Sequence, residues 1–409
     1  MGVETMQSSG LEWPMTGLDV PALKATGWRP VPFNQFVLKV HSRCNLACDY
    51  CYMYEMSDQS WRGRPAVMSP DLIRVTASRM GDYARRHRLP AAQVVLHGGE
   101  PLLAGSDVIA FLAEETRRAF PAETRLAIGV HTNGALLTEE MLETLRAHDI
   151  RVGISLDGDK GANDRHRRYR NGRSSYDDVV QGLALLRSPR YAHLFSSILA
   201  VIDLANDPIE TYEGIAGFEP PAMDFLLPHA NWMEPPPGKA EPGSTPYADW
   251  LIKVFDHWYD RGSSRANVRL FAGAMKLLLG RPGDTEQIGL QPANFLVVET
   301  DGTIEQVDTL KSAFAGAPET GSHIADCDFD TVAEHPGVVA RQIGVEALCE
   351  QCRGCQYRDV CGGGLYVHRY RAGTGFRNPS VYCEDLMKFV GHAKGRLMRD
   401  LDRVRRARG

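Results

Sequence analysis

The stretch Phe36-Val-Leu-Lys-Val-His-Ser-Arg-Cys-Asn-Leu-Ala-Cys-Asp-Tyr-Cys-Tyr52 decides how the chain is read. Its apolar, partly β-branched start, 36–40, has strand character. It leads straight into a loop that holds Cys44, Cys48 and Cys51. Three thiolates can hold three irons of a cubane [4Fe–4S] cluster, which takes four ligands when it is closed. The fourth iron then accepts an outside ligand, and the cluster becomes a place of reaction rather than only of electron transfer. Zinc and a disulfide are the alternatives. Structural zinc takes four closed ligands, in pairs of Cys or His, and no second pair lies nearby. A disulfide strands one thiol.

Outward from this stretch the chain alternates. Strand-like runs at 36–40, 93–97, 125–131, 151–156, 195–202 and 222–227 are interleaved with helical patterns at 69–86, 107–119, 138–148, 176–187 and 207–216. Thr138 is placed to cap one helix, with Leu137, Met141, Leu142 and Leu145 at helical spacing. Ser175 followed by Asp178 resembles a capping box. Six strands alternating with helices predict an α/β fold with a parallel sheet and right-handed connections, closed or partly closed as a barrel. Such a sheet carries its chemistry at the C-terminal ends of the strands. There the unusual residues fall: the cysteines after the first strand, His97-Gly-Gly-Glu-Pro101 after the second, His131-Thr-Asn-Gly134 after the third and Ser155-Leu-Asp-Gly158 after the fourth.

The expected organisation is an extension over 1–33, a barrel over 34–232, linker and bridging helices over 233–294, and a cysteine-rich domain over 295–409. Glu234-Pro-Pro-Pro-Gly238 and Glu241-Pro-Gly-Ser-Thr-Pro246 read as linker. Helices are expected at 246–261 and 269–279, a hairpin at 295–307 turning at Asp301-Gly302, and a terminal helix at 384–406. Hydrophobic residues at 43% and charged residues at 24% of 409 fit a globular enzyme. A net charge of −5 argues against a nucleic-acid binder. No apolar run has membrane-spanning length, and the N-terminus does not read as a signal peptide. A cytoplasmic protein is expected, whose nine cysteines remain thiols and cluster around metal.

An open iron is chelated by an amine and a carboxylate together, and the amino-acid end of S-adenosylmethionine offers both. One electron into its sulfonium releases a 5′-deoxyadenosyl radical. Gly98 and Gly99 allow close backbone approach, Glu100 can accept from an amine, and Asn133 and Ser155 suit ribose hydroxyls or a carboxylate. Tyr50 offers an aromatic face to adenine. For Gly98-Gly99 an ordinary turn is the alternative, and for Tyr50 a core aromatic.

Cys44-x-x-x-Cys48-x-Tyr50-Cys51 resembles the signature of the radical SAM enzymes, and Gly98-Gly-Glu-Pro101 resembles their SAM-amine motif. Thr132-Asn133 and Ser155-Leu-Asp157 fall in the expected order. The resemblance covers roughly 35–230 and implies a partial (β/α)6, TIM-like barrel. It also implies a basic residue after the fourth strand for the SAM carboxylate; Arg165, Arg167, Arg168 and Arg170 compete, and Arg167 is favoured. The second half resembles the SPASM extension of peptide-modifying members. Cys352, Cys355, Cys361 and Cys383 look like the ligands of its outer auxiliary [4Fe–4S] cluster, with zinc as the alternative. Two ligands of the inner auxiliary cluster are replaced by Val307 and Leu365, so one auxiliary cluster is expected. Cys327 and Cys349 stay unassigned, Cys349 being an alternative outer ligand.

Within that branch, Ser57-Asp-Gln-Ser-Trp61, Leu96–Gly105, Glu299–Asp308, Cys361–Tyr370 and Asn378–Cys383 resemble the maturases that form three-residue cyclophanes in ribosomal peptides. The resemblance implies Cβ hydrogen abstraction, attack of the carbon radical on an aromatic ring, then loss of a proton and an electron. Asp308 is the expected proton acceptor, and the auxiliary cluster the electron sink. The expected partners are a ribosomal precursor peptide and a low-potential reductant such as flavodoxin or ferredoxin, with no nucleic acid and no membrane. The ~33 residues before the barrel are short for a winged-helix leader-binding domain of ~50 residues or more. A strand edge or a separate protein would then hold the leader. Another peptide modification (Cys or Ser oxidation as in sulfatase maturation, epimerisation, an ether crosslink) is the second reading, and a non-catalytic iron–sulfur or zinc protein the third.

Overall fold

In the computed structural model, which describes residues 12–239, 241, 243–262 and 266–408, the opening strand β1 spans Gln35–His41. Phe36, Leu38 and Val40 are fully buried on one face, where the Phe36 ring meets Tyr83 of the helix Pro70–Arg86 edge to face. Alternation then turns Lys39 to the opposite face. Around β1 the sheet grows by parallel pairing: β2 (Ala91–Gly98), β3 (Arg125–Thr132), β4 (Ile150–Ser155) and β5 (Phe195–Val201) follow in chain order. The helices between them, Pro70–Arg86, Ser106–Ala119, Glu139–Ala147 and Tyr176–Leu186, match the predicted ones closely. Ser69 and Thr138 cap their helices through backbone amides of Leu72 and Met141, each at 3.2 Å. The α/β class and its parallel order are those the sequence predicts.

Two compact units divide the chain. One holds the described residues up to Leu156, then Lys160–Leu199 and Ala293–Gln342; the other holds Asp157–Asp159, Ala200–Pro292 and Ile343 onward. Along the sequence, segments of the two units therefore alternate. On the other side of β1 lies β8 (Phe295–Val298), parallel to it, with Gln35 beside Phe295. The hairpin is as predicted: β8 turns at Asp301-Gly302 into β9 (Thr303–Glu305), with Gly302 at φ 91°. β10 (Glu319–His323), not anticipated, completes this edge. The helix Lys160–His166 was also not anticipated.

In the second unit β6 (Ala222–Leu226) pairs in parallel with the two-residue strand β7 (Asn267–Val268). The helices Pro246–Asp260, Arg269–Leu278 and Cys383–Arg408 pack through Phe255, Phe271 and Phe389. Trp250 is buried, Trp258 contacts the Phe271 ring, and Trp232 is exposed. Ser175 is a correction: its hydroxyl donates to the Arg167 carbonyl at 2.6 Å instead of capping, and Asp178 accepts from Tyr169. Residues 1–11 of the expected extension, and Pro242 of the expected linker, lie outside the described residues. No helix among the described residues is long and apolar enough to cross a membrane.

The glycine pair after β2 is fixed by packing. A Cβ on Gly98 would lie 2.2 Å from the His41 carbonyl oxygen; one on Gly99 would lie 1.7 Å from the Tyr54 hydroxyl and 2.6 Å from Arg43 backbone. Gly98→Ala or Gly99→Ala should cost about 1–3 kcal/mol through overpacking, whereas Gly63→Ala, where nothing lies within 4 Å, should stay within about 0.5 kcal/mol. Denaturant unfolding of the three variants measures the contrast.

Candidate active site

The cysteine loop is held from two sides. The Ala47 amide donates to the Arg168 carbonyl at 2.8 Å, and the Gly99 and Glu100 amides donate to the carbonyls of His41 and Arg43, each at 2.9 Å. Within the loop the Cys51 amide donates to the Cys48 carbonyl, and the Leu46 amide points at Cys44 Sγ, 3.4 Å away. Burial, then the Glu100 charge, pushes the Cys44 thiol up to about 12; burial, then Cys48, pushes Cys51 up to about 11. In the protein alone Cys44 and Cys51 resist ionising. Thiolates there need compensating positive charge, which the irons of a cluster supply. The donor set fits a three-thiolate [4Fe–4S] cluster.

The neighbouring loops interlock beneath the cysteines. Glu100 is fully buried and accepts from Thr132 Oγ1 at 2.6 Å, the Asn133 amide at 2.7 Å and the Leu102 amide at 3.0 Å. Burial pushes its carboxyl up, against these bonds. Asn133 Nδ2 donates to Asn45 Oδ1 at 2.8 Å and lies 3.8 Å from Cys44 Sγ, so Glu100, Thr132 and Asn133 are brought against the cysteine loop. Arg167 is 8% exposed and donates to the Tyr50 hydroxyl at 2.8 Å, and its charge lowers both Cys51 and Glu100. Arg165, Arg168 and Arg170 are exposed. Burial of this kind separates Arg167 from its three competitors. Ser155 Oγ meets His131 Nε2 at 2.9 Å. Asp157 lies in the second unit and accepts from the Val201 amide at 3.0 Å.

A row of polar side chains that sequence reasoning passed over crosses the sheet opposite Phe36. Lys39 pairs in register with His97. The His97 and His131 rings stack with centroids 6.0 Å apart, and His131 reaches Ser155. At the other end the Lys39 ammonium, fully buried, is ion-paired with Asp308 and donates to His97 Nδ1 at 2.8 Å. Asp308 is 6% exposed; its Oδ2 takes Lys39, while its Oδ1 is buried with no hydrogen-bond partner. The signal was present: a lysine and two histidines at alternate positions of strands otherwise apolar.

Behind Asp308 lies a buried charge cluster. Arg64 meets Glu299 at 2.6 Å and Glu305 at 2.7 Å; Lys311 meets the same two carboxylates at 3.1 and 2.8 Å. Oxygens of Glu299, Glu305 and Asp308 all lie within 4.8 Å of one another. Lys311 and Arg64 already occupy the place a cation would take. Burial, then the Glu299 charge, pushes Glu305 up to about 7, whereas Lys311, Lys39 and Arg64 hold Glu299 low against its own burial.

In the second unit Cys352, Cys355, Cys361 and Cys383 line one cavity of about 370 Å³, whose lining has no carboxylate or imidazole. Burial raises Cys361, and burial then Cys361 pushes Cys383 up to about 12. Four sulfurs around one hollow fit a fully ligated auxiliary cluster. Cys349 hydrogen-bonds the Cys352 thiol, which lowers Cys349. Cys327 is half-buried, and Val307 and Leu365 are buried apolar side chains.

A family model described as the radical SAM superfamily matches residues 38–209. The serine-type anaerobic sulfatase-maturating enzyme of Klebsiella aerogenes is 30% identical over 356 residues, covering 84% of this chain and 82% of that one. The cysteine-type enzyme of Clostridium perfringens is 25% identical over 381 residues, covering 90% and 98%. A solved structure of native anSMEcpe with bound AdoMet and the Cp18Cys peptide has a TM-score of 0.75 at 22% identity, covering 90% of this chain and 99% of that one. At that identity the likeness is one of fold. The chain belongs to the radical SAM superfamily. Its cofactors are S-adenosylmethionine and [4Fe–4S] clusters.

Anaerobically reconstituted protein should contain about eight irons, from two four-iron clusters. Replacing Cys352 and Cys355 with Ala should leave about four, and a count near twelve would contradict the ligand sets. Glu305 binds its proton more tightly folded than unfolded. Its contribution to stability is therefore complete below its ordinary 4.5 and lost as pH rises to about 7. Unfolding free energy should decline over that window, and Glu305→Gln should flatten the decline in denaturant titrations at several pH values.

Proposed function

We propose that this chain is a radical SAM maturase that oxidises a residue of a peptide or protein, beginning with removal of a Cβ hydrogen. The observation that carries the reading is Asp308: a buried carboxylate with one oxygen tied to Lys39 and the other bare. It lies in the same compact unit as the cysteine loop. Bound at Cys44, Cys48 and Cys51 with its S-adenosylmethionine, the open cluster supplies a 5′-deoxyadenosyl radical, and a cluster on Cys352, Cys355, Cys361 and Cys383 offers a place for the second electron.

The chain's own residues do the rest. Gly98, Gly99, Glu100, Thr132, Asn133, Ser155, Asp157 and Arg167 are assigned to the SAM side, with Tyr50 positioned by Arg167. After the hydrogen atom has left as 5′-deoxyadenosine, the substrate still has to lose one electron and one proton. Asp308 Oδ1 accepts that proton as a general base. The relatives favour a Ser or Cys side chain as the oxidised group, since their names are those of serine- and cysteine-type sulfatase maturases and their likeness spans most of both chains.

A crosslink is the second reading, favoured by the stretches resembling cyclophane maturases. There the carbon radical adds to an aromatic ring, and the proton given to Asp308 comes from the ring carbon. One of those stretches builds a defined feature: the guanidiniums of Arg43 and Arg62 both lie over the Trp61 ring, 5.1 and 4.7 Å from its centroid, and Tyr54 meets it in a T-shaped pair. Both reactions remove two hydrogens from the substrate. Carbonyl reagents and fragment spectra separate them. An oxidised Ser or Cys reacts with a hydrazide, whereas a crosslink suppresses fragmentation between the joined residues.

The test uses reconstituted protein with two probes, a Ser- or Cys-containing sulfatase peptide and the product of a short reading frame beside the gene. Asp308→Asn should still release 5′-deoxyadenosine while product falls about 10²–10⁴-fold, read by mass spectrometry. Wild-type product yield from that variant would remove Asp308 from the chemistry.

A further inference from the structure

Lys39 occupies an unusual position for a lysine. Its ammonium is fully buried and spends its donors on Asp308 Oδ2, His97 Nδ1 and Met53 Sδ. His97 Nδ1 also lies 3.7 Å from Asp308 Oδ2, so the three groups form a triangle with Lys39 at its apex. Because Nδ1 accepts from the ammonium, a neutral His97 carries its proton on Nε2. The His97 side chain is 22% exposed, whereas Lys39 and Asp308 are at 1% and 9%. Of the three side chains, only His97 has appreciable exposure.

On its far side Asp308 faces carboxylates. Glu299 and Glu305 close that side, and their cations, Lys311 and Arg64, are engaged with them. A buried base that has taken a proton must release it before it can act again. We infer that Lys39 and His97 relay the proton accepted by Asp308 to solvent, restoring the carboxylate between turnovers. The inference rests on Asp308 being the base.

The relay balances. The proton arrives on Oδ1, and a half-turn of the carboxyl group presents it to Lys39. As Lys39 passes one of its own protons to His97 Nδ1 it takes up the one from Asp308, and His97 releases its Nε2 proton to water. Asp308 ends as carboxylate and Lys39 as ammonium, while His97 is left with its proton on Nδ1; turning of its partly exposed ring to water, which takes that proton and returns one to Nε2, resets the relay, and no electrons move.

Two variants separate relay from scaffold. His97→Gln keeps an acceptor for Lys39 but cannot pass a proton on. Lys39→Arg keeps the charge but holds its proton. With both clusters reconstituted and whichever of the two peptides is turned over, product is measured with enzyme in excess and again with peptide in excess. The relay predicts that the loss falls on repeated turnover, about tenfold or more, with a larger solvent deuterium effect, and spares the first turnover. Circular dichroism and iron content verify folding. Equal loss in both regimes makes the residues structural and overturns the relay, as does wild-type behaviour of His97→Gln. Slowing of repeated turnover by Glu305→Gln alone would route the proton the other way and also overturn it. A fully active Asp308→Asn instead removes the base reading beneath it.

Discussion

Two backbone hydrogen bonds join the chemistry to the sheet, from the Gly99 and Glu100 amides to the carbonyls of His41 and Arg43. They bring the loop after β2 against the loop after β1, at a distance that excludes any Cβ at Gly98 or Gly99. Once that contact is made, Glu100 falls within reach of Thr132 and Asn133, and Asn133 within reach of Asn45. A motif read from sequence as approach to a ligand is thus also the seam that aligns three loops. The glycines serve the protein before they serve a cofactor.

The second theme is charge in a dry interior. Lys39, Lys311, Glu100, Glu299 and Glu305 are all essentially inaccessible. Isolated charges there would cost several kcal/mol each, so each is held in a pair or network. Arg64 and Lys311 pair directly with Glu299 and Glu305, Lys39 pairs with Asp308, and the Lys39 charge also reaches Glu299. Removing one partner leaves a buried charge without compensation, which is why such groups persist in place even where a hydrophobic side chain would pack more easily.

Much of this was legible in the sequence. The strands β1 to β6 announce themselves by short apolar runs, and the helices that alternate with them by their spacing, because those signals are local. The cysteine spacings are local too, and the Cys352–Cys383 set is gathered around one cavity. What stayed hidden depends on pairings across long stretches of chain. That β8 lies beside β1 follows from Gln35 meeting Phe295, which no window of sequence contains. Ser175 looked like a cap but was drawn away by the Arg167 carbonyl. His97 stood out in sequence only as part of the glycine motif, and Lys39 not at all, until register set them side by side. The identity of the peptide is carried by none of these elements.

Lys39 and Asp308 stand 269 residues apart in the chain, and the whole of the second unit's segment Ala200–Pro292 lies between them. A contact of such high sequence separation forms late, because loop closure has to be met before it contributes anything. During synthesis the cysteine loop emerges long before the hairpin that ends at Asp308. The order of translation therefore separates the two ends of this ion pair: the strand that carries Lys39 and the cysteine loop after it are made long before Asp308.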